Sequence, residues 1–368
     1  MTDYEIRPFR SDDRAAYLDL YETVLDADRD PAWFEWKYGA DNPYVDEPAI
    51  VVAYRDGELV GARSFFALRM ATGETARLAL QPSDAMVHPD HRRQGLFSRM
   101  TRDALSRYAD RAPAFCFNFP NHMSLPANLK LGWEVVGDLT THYRVHDPAA
   151  LTDAVPAPLA SALQAAADTF YRFRTPDAAG ADLAVSRQES APETLAALYR
   201  TEHAGGHATE RAGGHADGIH ALRDETFYEW RLAAPDWTYE TYVADRSGEP
   251  TAALVVARAH RGSVTTVRIL DALAVGASSD RNEAYAALLA SVLADHADAP
   301  LVAVRGGLPD SVLRRFGFLP DTSPPLSPVS STTTMVARPI GDADWTLDGY
   351  DLRDPGSWRL TFAELDSA

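Results

Sequence analysis

Five short segments in the first half of the chain return in the same order in the second half, and no other feature narrows the possible folds as much. Leu20-Tyr21-Glu22-Thr23 comes back as Leu198-Tyr199-Arg200-Thr201, and Phe34-Glu35-Trp36-Lys37 as Tyr228-Glu229-Trp230-Arg231. Asp56-Gly57-Glu58 is matched by Ser247-Gly248-Glu249, Asp84-Ala85-Met86-Val87 by Asp271-Ala272-Leu273-Ala274, and Leu131-Gly132-Trp133 by Phe316-Gly317-Phe318. The spacing between copies drifts slowly, as small insertions produce, so the second half reads as a duplicate of the first. At 368 residues the chain is long enough to bury two such cores.

Hydrophobic periodicity supplies the elements of one copy. Tyr4–Phe9 alternates as a strand, and Ser11-Asp12 offers an N-cap before Tyr17, Leu18, Tyr21, Val24 and Leu25 at helical spacing. Ala49–Tyr54 and Leu59–Leu68 flank Asp56-Gly57, a hairpin signal, with Leu78–Val87 as the third strand. A helix is expected over Gly95–Tyr108, then a strand at Ala114–Phe119, a short helix at Ser124–Leu131, and strands at Trp133–Val136 and Thr141–Val145. Asp147–Ala181 is rich in Ala, Pro and Asp around a helical stretch, Leu159–Phe170, and reads as a linker. Four segments follow: a first domain over 1–146, a linker over 147–182, a second domain over 183–340, and a tail over 341–368. Trp345, Tyr350 and Trp358 mark that tail as packing on the body.

Charge excludes one class of partner. The net charge is −18, with no basic stripe to neutralise phosphates, so a nucleic-acid partner is not expected. Lysine occurs only at positions 37 and 130 while Asp is abundant. A carboxylate-rich surface with almost no lysine fits a cytoplasm of molar salt, where screening removes self-repulsion, and a halophilic source is expected. The single cysteine, Cys116, forms no intramolecular disulfide and is expected to be buried between Phe115 and Phe117, not acylated. His203, His207, His215 and His220 lie among Ala and Gly and read as loop residues; no metal is expected. No apolar run approaches a membrane span, and the N-terminus lacks a signal-peptide pattern, so a soluble cytoplasmic protein without membrane partners is expected; its oligomeric state is open.

The chemistry-bearing stretch is Met86-Val87-His88-Pro89-Asp90-His91-Arg92-Arg93-Gln94-Gly95-Leu96-Phe97-Ser98-Arg99-Met100. A strand ends at Val87, a turn follows, and a helix begins near Gly95, leaving several backbone N–H groups without an intrahelical acceptor. Such a terminus binds anions; Arg92 and Arg93 add positive charge, and Gly95 keeps a side chain out of a phosphate's path. The arrangement suits a pyrophosphate.

These residues resemble the pyrophosphate loop of the Gcn5-related N-acetyltransferase (GNAT) superfamily, Q/R-x-x-G-x-G/A after a strand ending in Val-x-Pro. Val87-His88-Pro89 and Arg92-Arg93-Gln94-Gly95-Leu96-Phe97 carry the match, with Phe97 replacing the final small residue, and Leu129-Lys130-Leu131-Gly132-Trp133 resembles the superfamily's K-x-G-F segment. The resemblance covers residues 4–145 by motif and 183–340 by repeat only. It implies an α/β (α+β) fold class: tandem GNAT folds, each a mixed, mostly antiparallel central sheet flanked by helices.

The resemblance further implies an acetyl-CoA-dependent N-acetyltransferase. A small-molecule or peptide primary amine attacks the thioester directly in a ternary complex, and a backbone N–H at the Met86–Val87 strand end steadies the oxyanion. The cofactor-binding set is then Met86, Val87, His88, Arg92, Arg93, Gln94, Gly95, Leu96, Phe97, Ser98 and Asn121. A splay between the Leu78–Val87 and Ala114–Phe119 strands would admit the pantetheine arm. Asp84 is the candidate base or amine-binding carboxylate, and His122 the candidate proton relay. Relatives' Tyr acid aligns on Asn128, so that acid is missing. In the second copy Ser279-Asp280-Arg281-Asn282 faces the loop position without a glycine, which implies lost cofactor binding. A catalytically silent acyl-CoA-binding or scaffold protein, and an aminoacyl- or acyl-transferring relative, are the alternatives.

Overall fold

The computed structural model describes residues 4–73, 75–147, 182–204, 218–261, 264–324, 326–327, 330 and 332–366. The helix expected at Leu159–Phe170, with His207 and His215, lies outside them. The first copy runs β1 (Glu5–Pro8), α1 (Arg14–Leu25), α2 (Pro31–Tyr38), β2 (Ile50–Arg55), β3 (Glu58–Thr72), β4 (Thr75–Val87), α3 (Leu96–Tyr108), β5 (Phe115–Asn118), α4 (Leu125–Lys130), β6 (Glu134–Leu139) and β7 (His142–Val145). The second runs β8 (Leu183–Gln188), α5 (Pro192–Ala204), β9 (Ile219–Ala221), α6 (Glu225–Arg231), β10 (Thr238–Arg246), β11 (Glu249–Arg261), β12 (Val264–Ala274), α7 (Ser278–Asp295), β13 (Leu301–Val304), α8 (Asp310–Arg315), β14 (Leu319–Pro320) and β15 (Thr333–Pro339). Short strands β16 (Thr346–Leu347) and β17 (Tyr350–Asp351) pair in the tail.

Local chemistry repeats with the sequence. Asp56 and Gly57 both take positive φ, 53° and 86°, and so do Ser247 and Gly248, 56° and 85°. Two successive left-handed residues make the turn whose twist matches a tight hairpin, which explains why both copies keep a glycine there. Asp30 caps α2 by accepting from the Trp33 N–H, and Asp224 caps α6 by accepting from the Phe227 N–H, each at 2.8 Å.

Two sheets result. One has the order β1-β2-β3-β4-β5-β15-β6, with β9 added beside β3; the other has the order β14-β7-β13-β12-β11-β10-β8. Both are mixed and mostly antiparallel, with the parallel pairings at β4–β5 and β12–β13. The sheets do not follow the boundary expected at residue 146. Strand β7, from the first half, pairs with β13 and β14, and β15, from the second half, lies between β5 and β6. Each lobe thus completes its sheet with the other's strand, so neither sheet is whole without both halves.

The largest core lies between the lobes. Trp36, Phe66 and Phe117 from the first half meet Leu195, Phe227, Trp230 and Leu270 from the second, and Trp358 and Phe362 of the tail join them. Burial of this many aromatic and branched side chains makes the interface a core in its own right.

Candidate active site

Strands β4 and β5 pair in parallel only through Ala79↔Phe115 and Leu80↔Cys116, although β4 runs on to Val87 and β5 to Asn118. Beyond Leu80 the two strands part, giving a splay of the kind the resemblance implies. At its open end β4 passes through Pro89–His91, one turn of 3-10 helix, into α3.

The connecting loop is shaped by two left-handed residues, Arg93 (φ 62°) and Gly95 (φ 73°). Alternation of handedness turns successive N–H groups toward one side, the concave arrangement that cradles anions. Among the described residues, the backbone N–H groups of Arg93, Gln94, Gly95, Leu96, Phe97 and Ser98 find no acceptor; intrahelical bonding resumes with Arg99 N–H to Gly95 O at 3.0 Å. A Cβ on Gly95 would meet nothing within 4 Å, so φ and the open face above the loop, not crowding, explain the glycine. Arg92, Arg93, Gln94 and Gly95 are exposed, and Arg92 Nε donates to Val87 O at 3.3 Å. The residues present therefore fit a pyrophosphate.

The other expected contacts are placed as follows. Met86 is buried under α1 and α2 with Tyr17 and Tyr38. His88 donates its N–H to Val60 O at 2.9 Å, and its Nδ1 accepts from the Asp90 N–H at 3.3 Å. Leu96 is buried and Phe97 half-buried, its ring 4.8 Å from the guanidinium of Arg63. Asn121 uses its carboxamide oxygen to accept from the N–H groups of Met123 and Ser124 at 3.0 Å, forming the entry to α4.

Asp84 sits at a bulge. The β3–β4 register passes from Ala62↔Met86 to Ser64↔Ser83, and the surplus residue on β4 lets Asp84 adopt φ 36°. Its Oδ2 accepts from Lys37 Nζ at 2.7 Å and from Tyr38 Oη, while Oδ1 receives only Tyr21 Oη at 3.5 Å. Lys37 also reaches Asp366 in the tail at 3.4 Å. Burial opposes the charge of Lys37, but Asp84 and Asp366 outweigh it and raise its pKa above the ordinary lysine value. Lys37 is thus a fixed cation, not a base. Sequence reasoning did not single it out; its being one of only two lysines was the available signal. His122 is exposed and shares no hydrogen bond or ion pair with this cluster among the described residues.

The tail is held to β4 by Gln81, whose Nε2 donates to Glu364 O at 2.8 Å and whose Oε1 accepts from the Asp366 N–H at 2.9 Å.

The equivalent position in the second lobe is closed. Asp271 accepts from Arg223 Nε at 2.6 Å and Tyr228 Oη at 2.8 Å, and Arg223 also pairs with Glu364 at 2.8 Å, all fully buried. Thr361 lies 3.4 Å from Asp271, and a Cβ on Gly306 would strike Leu360 O, so the tail covers this site. Only Val275, Gly276 and Ala277 separate β12 from α7, against the eight residues between β4 and α3 in the first lobe, and Ser279–Asn282 lie inside the first turns of α7. A further difference concerns the histidines. His203 lies on α5 and His220 on β9, not in a loop, with rings 5.2 Å apart and His220 bonded to Tyr199 Oη at 3.0 Å. No metal-holding group of side chains occurs among the described residues, and no helix among them is long and apolar enough to cross a membrane.

Residues 5–136 match a family model described as an acetyltransferase (GNAT) domain, and no curated protein matches the chain. Several solved structures share the architecture. A GCN5-related N-acetyltransferase from Anabaena variabilis aligns with TM-score 0.62 at 10% identity, over 92% of this chain and 73% of that one. One from Kribbella flavida gives 0.59 at 16% identity, over 92% and 71%. A probable N-acyltransferase from Enterococcus faecalis gives 0.62 at 12% identity, over 95% and 75%. At such identities the likeness is one of fold, and it extends across both lobes. Residues 5–136 carry a GNAT acetyltransferase domain, and the fold of the whole chain is the one seen in these N-acetyltransferase structures.

Proposed function

We propose that the chain transfers an acetyl group from acetyl-CoA to a primary amine by direct attack in a ternary complex. The observation that carries this reading is the run of unpaired N–H groups from Arg93 to Ser98 at the mouth of the β4–β5 splay. A pyrophosphate there leaves the pantetheine arm to follow the splay toward Asp84. Oδ1 of Asp84, held only by the long 3.5 Å bond from Tyr21 Oη, then receives the amine's N–H, because Oδ2 is already occupied by Lys37 and Tyr38. As the amine nitrogen bonds to the acyl carbon, its proton passes toward Asp84 and solvent, and the sulfur departs with the electron pair. His122, just beyond β5 and exposed, suits a role in passing that proton onward. Asp366 and the tail narrow the acceptor side, favouring a cationic amine small enough to fit beside two carboxylates.

The sealed second lobe fits a supporting role, with residues 183–340 completing the first sheet and carrying the tail. The test is acetyl transfer to a panel of small amines and peptide N-termini in molar KCl. Asp84→Asn should lower kcat about 100-fold and His122→Ala less, by the usual weight of a positioned proton acceptor. CoA release without added amine, or none with any amine, would point instead to a silent acyl-CoA-binding protein.

A further inference from the structure

Arg63 is a buried cation of the first lobe whose guanidinium has no acceptor among the described residues. It lies on β3 opposite the Asp84–Ala85 bulge, is 3% exposed, and its Nε and Nη2 are sealed from water without an acceptor. No hydrogen bond or ion pair engages its side chain among the described residues. The guanidinium rests against Phe97 at 4.8 Å and Phe65 at 5.4 Å. Its electrostatic neighbours are Cys116, Tyr38 and Asp84. Cys116 belongs to the last β4–β5 pair before the strands part, and Arg63 stands opposite the stretch of β4 that has parted from β5. Asp84 is already neutralised by Lys37, and the Cys116 thiol, pushed up to about 12 by burial, stays neutral. A guanidinium sunk in a core without an acceptor costs several kcal/mol. Such a group is retained where something else completes it.

Transfer of an acyl group creates the species that would do so. When the C–S bond breaks, the electron pair and a full negative charge stay on sulfur, and an acid or a cation must receive them. The resembling superfamily's tyrosine is replaced here by Asn128, which is buried, has no acidic proton, and leaves both carboxamide atoms unpaired. We infer that Arg63 is a catalytic residue that stabilises the departing CoA thiolate as an ion pair, in place of a general acid. The amide product forms, the amine's proton leaves by the Asp84 side, and the thiolate takes its proton from solvent after release.

This inference rests on the reading of the site as an acyl-CoA site, and proton counting separates the two. Calorimetry of CoA and of acetyl-CoA in buffers of different ionisation heat measures protons released on binding. A free thiol with pKa near ~8.5 is mostly protonated at pH 7.5, so thiolate stabilisation predicts release of nearly one proton with CoA and none with acetyl-CoA. Arg63→Met should bind acetyl-CoA within threefold of wild type, release no proton with CoA, and lose about 100-fold in kcat at unchanged KM. Arg63→Lys should restore part of the release. If wild type binds both ligands without thiol-linked release, or Arg63→Met releases as wild type does, Arg63 has only a packing role. If wild type binds neither, the acyl-CoA reading falls with it. The wild-type comparison decides even if a variant fails to fold.

Discussion

Trp36 and Trp230 donate their indole N–H groups to each other's backbone carbonyls, at 2.9 Å in both directions, with the rings stacked 5.7 Å apart. Each is the other's counterpart in the sequence repeat, so the pair marks the approximate twofold axis between the lobes. Replacing Trp36 by Phe keeps a ring but removes one donor to the Trp230 carbonyl, the Ala233 N–H remaining, at a cost of about 1 kcal/mol. Trp36→Ala adds a cavity and should cost about 3–5 kcal/mol. Guanidinium denaturation followed by fluorescence and circular dichroism should show one shared transition moving in both variants. Movement of only one of two separate transitions would show that the lobes unfold independently.

The exchange of β7 and β15 makes a stronger statement about cooperativity. A fragment of residues 1–146 lacks β15, leaving β5 and β6 with unpaired edges, and should be unfolded or aggregated. Co-expression with residues 147–368 should recover a soluble heterodimer. A folded monomeric 1–146 fragment, seen as dispersed amide resonances, would contradict the exchanged topology.

Arg7 holds the carboxylate of Asp13 down to about 2 through paired hydrogen bonds at 2.7 and 2.8 Å, against the cost of burial. Because the folded pKa is lowered, this contribution is present above the unfolded value near ~4 and disappears as pH falls toward 2. Asp13→Asn should therefore lose about 2 kcal/mol at pH 7 but almost nothing at pH 2. Urea midpoints across that range, with Arg7→Met in parallel, check the sign.

Lys37 separates two carboxylates, Asp84 at 2.7 Å and Asp366 at 3.4 Å. The pKa of Asp366 is raised by burial and by Asp84, with Lys37 acting against both. In Lys37→Met, Asp366 loses the cation that opposes its burial and takes up a proton at higher pH, so the acid limb of kcat/KM should move upward if Asp366 must be charged. An acid limb that stays in place would show that Asp366 does not control the rate.

Much of this was legible in the sequence because it is local. The Asp56-Gly57 turn, the α3 entry at Gly95 and the strand order to β6 follow from residues adjacent in the chain. Partner choice is not local. His142–Val145 reads as a strand whichever neighbour it takes, and its own residues do not select β13, the partner it has in the fold. Lys37 and Arg63 escaped notice for a related reason. Their meaning lies in what they face, Asp84 and the parted stretch of β4, each reached only after the hairpin of β3 and β4 has formed.

The most direct test of the cofactor site is titration of wild type and Gly95→Glu with acetyl-CoA in molar KCl by calorimetry. The loop needs φ 73° at residue 95 and an anion-accepting face, and glutamate opposes both. The expected result is saturable one-to-one binding by wild type and a loss of at least about 100-fold in the variant, roughly the 3 kcal/mol of strain and repulsion combined. Equal binding by both proteins, or by neither, would contradict a pyrophosphate seated on the Arg93–Ser98 N–H groups.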